Sequence, residues 1–162
     1  MGCGAGGLCI ELDKRGWAAT GIDIANKAIT AAQRAAEERG SDATFVAADA
    51  AAWQPERSYD PVTCNFGLPP QPDSRTAVYA MMRRAVAPGG VVLLKVGDHT
   101  GSRAPAAFVG YESLNLEELK RGFEVLKAKI VDSPAHAHAH GGPKQQRELW
   151  KALIFMARRP TA

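Results

Sequence analysis

The chain opens on Gly2-Cys3-Gly4-Ala5-Gly6-Gly7, a glycine run with a helical pattern directly behind it and no apolar strand written ahead of it. Residues without a Cβ tolerate positive φ and let a ligand approach the backbone, so a turn of this kind at a helix N-terminus is where α/β proteins admit nucleotides. Such a turn normally follows a buried strand. The expectation is therefore a sheet completed by a strand ahead of residue 1, or in some other way.

Composition narrows the class. At 162 residues, 46% apolar and 23% charged, the chain suits a single domain over residues 1–162 with one core. Its 20 basic and 17 acidic residues are intermixed, which gives no clear nucleic-acid signal, although Arg83-Arg84 and Arg158-Arg159 are small basic spots. Cys3, Cys9 and Cys64 are odd in number and follow no metal-ligand spacing, so reduced thiols and no metal site are expected. No apolar stretch approaches the roughly 20 residues of a membrane helix, and the start lacks the basic opening of a signal peptide; a cytoplasmic protein follows. Met1-Gly2-Cys3 does not make a myristoylation signal, because Gly6 stands where Ser or Thr is needed.

Along the chain, Leu8 to Leu12 reads as a helix stopped at Lys14-Arg15-Gly16, and Ala18 to Ile24 as a strand ending on Asp23. Asn26 to Arg39 is rich in helix formers and closes at Gly40. Thr44 to Ala48 is β-prone and ends on Asp49, and Tyr59 to Phe66 makes a further strand with Pro61 near its start. Ser74 to Ala87 carries a helical stripe of Val78, Met81, Met82, Ala85 and Val86, stopped by Pro88-Gly89-Gly90. Val91 to Val96 reads as a strand covered on both faces. Asn115 caps a short helix through Arg121, and Phe123 to Val131 and Leu149 to Ala157 read as an antiparallel hairpin joined by the polar loop Asp132 to Arg147. Strands alternating with helices predict an α/β fold, a mainly parallel sheet with helices on both faces and a C-terminal antiparallel hairpin, with ligands at the carboxyl ends of the strands.

Three features outline an adenosine-shaped site: the glycine turn, Asp23 at the next strand end and Asp49 at the one after. A carboxylate at the second strand end can take both ribose hydroxyls, and one at the third can accept from the adenine amine. Either aspartate alone reads equally well as a solvated strand terminus.

Together with their neighbours these residues resemble the class I S-adenosylmethionine-dependent methyltransferase family, over nearly the whole chain. Gly2-Cys3-Gly4-Ala5-Gly6 is similar to its first motif, and Gly21-Ile22-Asp23-Ile24 with Ala28-Ile29 to its second. Ala47-Ala48-Asp49-Ala50 is similar to its adenine-side acidic motif, Tyr59-Asp60-Pro61-Val62 to the start of its fourth strand, and Ala87-Pro88-Gly89-Gly90 to the turn before its fifth. Asn65 onward (NFGLPP) and the ending Ala157 to Pro160 resemble small bacterial members akin to the tellurite-resistance and thiopurine methyltransferases. The resemblance implies a Rossmann-like methyltransferase fold and S-adenosyl-L-methionine as cofactor. It implies Gly2, Cys3, Gly4 and Gly6 under the methionine portion, Asp23 on the ribose, Ile24 packed on adenine, and Asp49 on the adenine amine with Ala50 beside the ring. Asn65 and Phe66 would border the sulfonium and the substrate entrance. The family also places an apolar strand, often with an acidic residue, before the glycine turn; by that comparison the chain is N-terminally truncated, with the central strand missing or upstream.

Methyl transfer from a sulfonium needs chiefly alignment of a small-molecule nucleophile, and a general base only when the nucleophile's pKa demands one. Asp98 and His99, following the fifth strand of the family's sheet, are the candidates for that base, and read alternatively as the start of a polar loop. His136, His138 and His140 could share one face of an extended segment, but their Gly- and Pro-containing surroundings favour a solvated loop over a metal site. Lys95 reads as a snorkelling side chain, and Trp53 and Trp150 as packing residues.

Two other functions stay open. Gly2, Gly4 and Gly7 also satisfy G-x-G-x-x-G, which with Asp23 fits an NAD(P)-dependent oxidoreductase. The missing strand fits a catalytically inactive cofactor-binding or interaction domain. The methyl acceptor is not written in the sequence, and oligomeric state is open, a homodimer among the options.

Overall fold

The computed structural model describes residues 1–97, 113–134 and 149–161. Its elements run α1 (Gly7–Asp13), β1 (Thr20–Asp23), α2 (Asn26–Glu38), β2 (Thr44–Ala47), β3 (Val62–Asn65), α3 (Pro72–Ala85), β4 (Val91–Gly97), α4 (Leu116–Lys120), β5 (Glu124–Pro134) and β6 (Leu149–Arg158). Every element read from the sequence is present, with shifted ends. Helix α1 closes as a glycine stop does: Gly16 sits at φ 85 and Trp17 N–H donates back to the Leu12 carbonyl. Helix α3 starts two residues early because Pro72 suits the first helical turn, where no N–H is needed. Asn115 caps α4 by accepting from Glu118 N–H at 3.2 Å.

The strands form two sheets. In one, β1 pairs parallel with β2, Thr20 opposite Thr44 and Asp23 opposite Ala47. In the other, with order β3-β4-β6-β5, the β3 and β4 strands are parallel and the remaining two pairings antiparallel, so the C-terminal hairpin supplies the edge that was expected. Strand β4 is not evenly covered. Val92, Leu94 and Val96 are buried while Val91, Leu93 and Lys95 are half-buried, an alternation that the continuous apolar run of its sequence had hidden.

Strand β3 is shorter than the run from Tyr59 to Phe66. Pro61 has no N–H for a ladder, so the pairing begins after it, and Tyr59 instead bridges to Val86 at the end of α3. Asp60 turns out to be structural: its carboxylate accepts from Val91 N–H at 2.9 Å and ties the start of β4 to this segment.

Between β1 and β3 lies a slot of about 260 Å³, lined by Leu8, Leu12, Trp17, Ile22, Trp53 and Met81 among others. The first residues of the chain straddle its end: the Met1 ammonium donates to the Thr63 carbonyl of β3 at 2.8 Å, and Cys3 N–H to the Ile22 carbonyl of β1 at 3.0 Å. Arg57 also spans it, donating to the Ala18 carbonyl while its guanidinium lies 5.1 Å from the Tyr59 ring centre.

Candidate active site

The glycine turn is shaped by its lack of side chains. Gly2, Gly4 and Gly6 all have positive φ, at 61, 52 and 78. A Cβ on Gly6 would lie 2.7 Å from the Phe45 ring and 2.9 Å from Ala32, so this glycine lets the turn press onto β2 and α2. A Cβ on Gly2 would lie 2.9 Å from the Cα of Gly67, and this contact brings the turn against the loop after β3. At Gly4 the same position meets nothing within 4 Å, leaving an open cradle above the backbone.

Asp23, the last residue of β1, clamps that cradle. One carboxylate oxygen accepts from Gly4 N–H and the other from Ala25 N–H, both at 2.9 Å. Each carboxylate oxygen has a second lone pair, so the residue can hold the turn and still receive a vicinal diol. Ile24 beside it is 74% exposed, an apolar side chain that the described residues leave largely uncovered. Asp49, just beyond β2, is exposed and shapes its own turn by accepting from Ala51 N–H at 2.9 Å, with Ala50 half-buried next to it.

At the end of β3, Asn65 is exposed and Phe66 adopts φ 56, an uncommon conformation for a large side chain. Its N–H donates to the Lys95 carbonyl, the Lys95 ammonium lies 5.2 Å from its ring centre, and the ring packs toward Gly97 at the end of β4. Lys95 therefore reaches along the sheet to an aromatic face rather than simply to solvent. The structure thus brings Gly2, Cys3, Gly4, Gly6, Asp23, Ile24, Asn65 and Phe66 to the carboxyl ends of the strands, with Asp49 and Ala50 past β2. Asp98, His99 and the histidines at 136, 138 and 140 lie outside the described residues.

Burial disfavours the thiolate at all three cysteines. Burial pushes the Cys3 thiol up to about 11, with Cys9 and Asp23 adding to the rise, and burial also raises Cys9 and Cys64. Gly67 was missed by sequence reasoning. The signal available was a glycine immediately past a strand end, in the same run as Asn65 and Phe66.

A cradle without side chains, a diol-competent carboxylate and an uncovered apolar residue fit the adenosine and methionine ends of a sulfonium nucleoside, on an α/β fold with strand-end ligation. Residues 1–90 match the family described as methyltransferase domain, and the chain belongs to that family. Among curated relatives it is 36% identical over 125 residues to a ubiquinone biosynthesis O-methyltransferase of Paracidovorax citrulli, covering 75% of this chain and 52% of that protein. The chain spans about half the length of the curated relatives it matches. Among solved structures, a SAM-dependent methyltransferase of Methanosarcina mazei superposes with TM-score 0.77 at 20% identity, over 99% of this chain and 91% of that one. TehB of Haemophilus influenzae gives 0.75 at 18% identity, over 98% and 55%. The magnesium protoporphyrin IX methyltransferase of Synechocystis, solved with bound S-adenosylhomocysteine, gives 0.71 at 21%, over 98% and 71%. S-adenosyl-L-methionine is the cofactor of the class to which this fold and family assign the chain. Among the described residues no helix is long and apolar enough to cross a membrane.

Proposed function

We propose that the protein transfers the methyl group of S-adenosyl-L-methionine to a small-molecule nucleophile by in-line displacement. The observation that carries this is the Asp23 clamp on the open Gly4 cradle, flanked by the uncovered Ile24. Gly2 to Gly6 would lie under the methionine portion, Asp23 would take the ribose hydroxyls, Ile24 and Ala50 would flank the adenine and Asp49 would accept from its amine. The bound cofactor supplies an electrophilic methyl on a sulfonium. The protein's own work is then to hold the acceptor in line and keep water out, for which Asn65 and Phe66 form one wall. Asp98 and His99, which follow β4 directly, are the groups we assign to hold the acceptor's proton.

The O-methyltransferase relatives support a hydroxyl as acceptor, a phenolic one first because it ionises most readily among hydroxyls. The likeness to TehB supports the fold alone, so oxyanion or thiol acceptors rank second. A dinucleotide would offer Asp49 the same adenine amine; the methyltransferase family match and the antiparallel β5–β6 hairpin are what favour S-adenosyl-L-methionine over NAD(P). One domain over residues 1–162 and a cytoplasmic location belong to the same reading, the latter resting on three free cysteines.

The test is labelled methyl transfer to a panel of catechols, thiols and selenium or tellurium oxyanions. Labelled catechol ethers are expected. Transfer to thiols or oxyanions alone would overturn the hydroxyl assignment, and transfer to none with the cofactor bound would favour an inactive binding domain.

A further inference from the structure

Arg75 is the one charged residue that is buried among the described residues, 8% exposed on the first turn of α3. A buried guanidinium is costly unless its donors are satisfied, and here they are spent on backbone rather than on a carboxylate. Nη1 donates to the carbonyls of Pro69 and Pro70, and Nη2 to the carbonyl of Ser113 at 3.4 Å. These carbonyls belong to two different segments. Pro69 and Pro70 lie in the loop between β3 and α3 that begins at Phe66, and Ser113 lies just before α4. Next to them Leu68 and Leu114 both enter the same core. One turn along α3 the Tyr79 hydroxyl is buried with no hydrogen-bond partner among the described residues, and burial pushes it up to about 12 against the opposing pull of Arg75.

We propose that Arg75 is a positioning residue for the methyl acceptor: it fastens the loop after β3 to the segment before α4, and so sets the wall formed by Asn65 and Phe66. Its hydrogen bonds go to the backbone of these two segments and none to the glycine turn. This role rests on the methyltransferase reading, but its structural half can be tested without it. Lysine cannot replace it fully, because a single ammonium lacks the planar fork that serves two segments at once.

The experiment compares wild type, Arg75→Met and Arg75→Lys by amide hydrogen exchange, calorimetry with S-adenosylhomocysteine and steady-state kinetics with catechol. In Arg75→Met, exchange at Gly67, Leu68, Ser113 and Leu114 should rise about tenfold while β4 and β6 stay within about threefold of wild type. Affinity for S-adenosylhomocysteine should stay within about threefold, KM for the acceptor should rise about tenfold with a smaller fall in kcat, and Arg75→Lys should recover part of both effects. Should the methionine variant not fold, the same local pattern in the lysine variant decides. Exchange that rises equally in β4 and β6, or does not change in the two segments, overturns the proposal. A wild type that fails to bind S-adenosylhomocysteine instead sinks the methyltransferase reading and leaves the exchange result standing.

Discussion

The β3-β4-β6-β5 sheet carries a core in which Tyr79, Met81, Leu94 and Phe155 are at most 1% exposed, whereas β1 and β2 rest on the smaller cluster of Ile10, Ile29, Ala32, Ala36 and Phe45. The larger sheet also has three strand pairings against one. Yet the smaller one holds Asp23 and leads into Asp49, the two carboxylates assigned to the adenosine. The proposed acceptor wall, Asn65 and Phe66, stands at the end of β3 in the larger. The proposed cofactor contacts thus sit on the less reinforced part of the molecule, which the Met1, Gly2, Cys3 and Arg57 contacts tie to the larger sheet. A ligand that bridges the glycine cradle and β1 should stabilise the smaller sheet selectively, since binding to the folded form adds to its stability by mass action.

The largest break in this comparison comes from the cores. Phe155→Ala should cost about 3–5 kcal/mol in urea unfolding, while Phe45→Ala, at the rim of a smaller cluster, should fall at or below the low end of that range. Amide exchange should separate them further: the Phe45 variant loosens Thr20–Asp23 and Thr44–Ala47 before β4 responds.

Next in size is Gly6→Ala. It puts a methyl group against Phe45 and Ala32 at a positive φ, for an expected loss of about 1–3 kcal/mol and of measurable S-adenosylhomocysteine binding. Asp23→Asn, which keeps the shape and removes the charge, should leave stability within about 1–2 kcal/mol of wild type and weaken cofactor binding about tenfold or more.

The smallest effect is one of pH. The Cys3 thiol rises from 9.0 to about 11 on folding, so the folded state holds its proton more tightly than the unfolded chain. Its contribution to stability is complete below pH 9 and disappears as the pH climbs from 9 toward 11. Thermal melts of Cys3→Ser should show a shallower decline across that window than wild type.

Much of the candidate site could be placed from sequence because its features are local. Asp23 and Asp49 end β-prone runs, and the glycines sit ahead of a helical pattern, so residue type and neighbours sufficed. Asn115 was legible for the same reason, as a cap. What escaped depends on contacts distant in sequence. Gly67 matters because Gly2 meets it, and Arg75 because Pro69, Pro70 and Ser113 converge on it; no spacing encodes either. Asp60 reads in sequence as part of a strand start, whereas its carboxylate accepts from Val91 N–H, a partner 31 residues away. The alternating burial of β4 was hidden by a run that is apolar on both faces, where composition cannot tell which side packs against α3.

Titration calorimetry with S-adenosylhomocysteine and with NAD, on the wild type and on Asp23→Asn, tests the cofactor assignment most directly. S-adenosylhomocysteine should bind one per chain, more weakly to the variant, and NAD should give no heat of binding. Binding of NAD without S-adenosylhomocysteine would contradict the account.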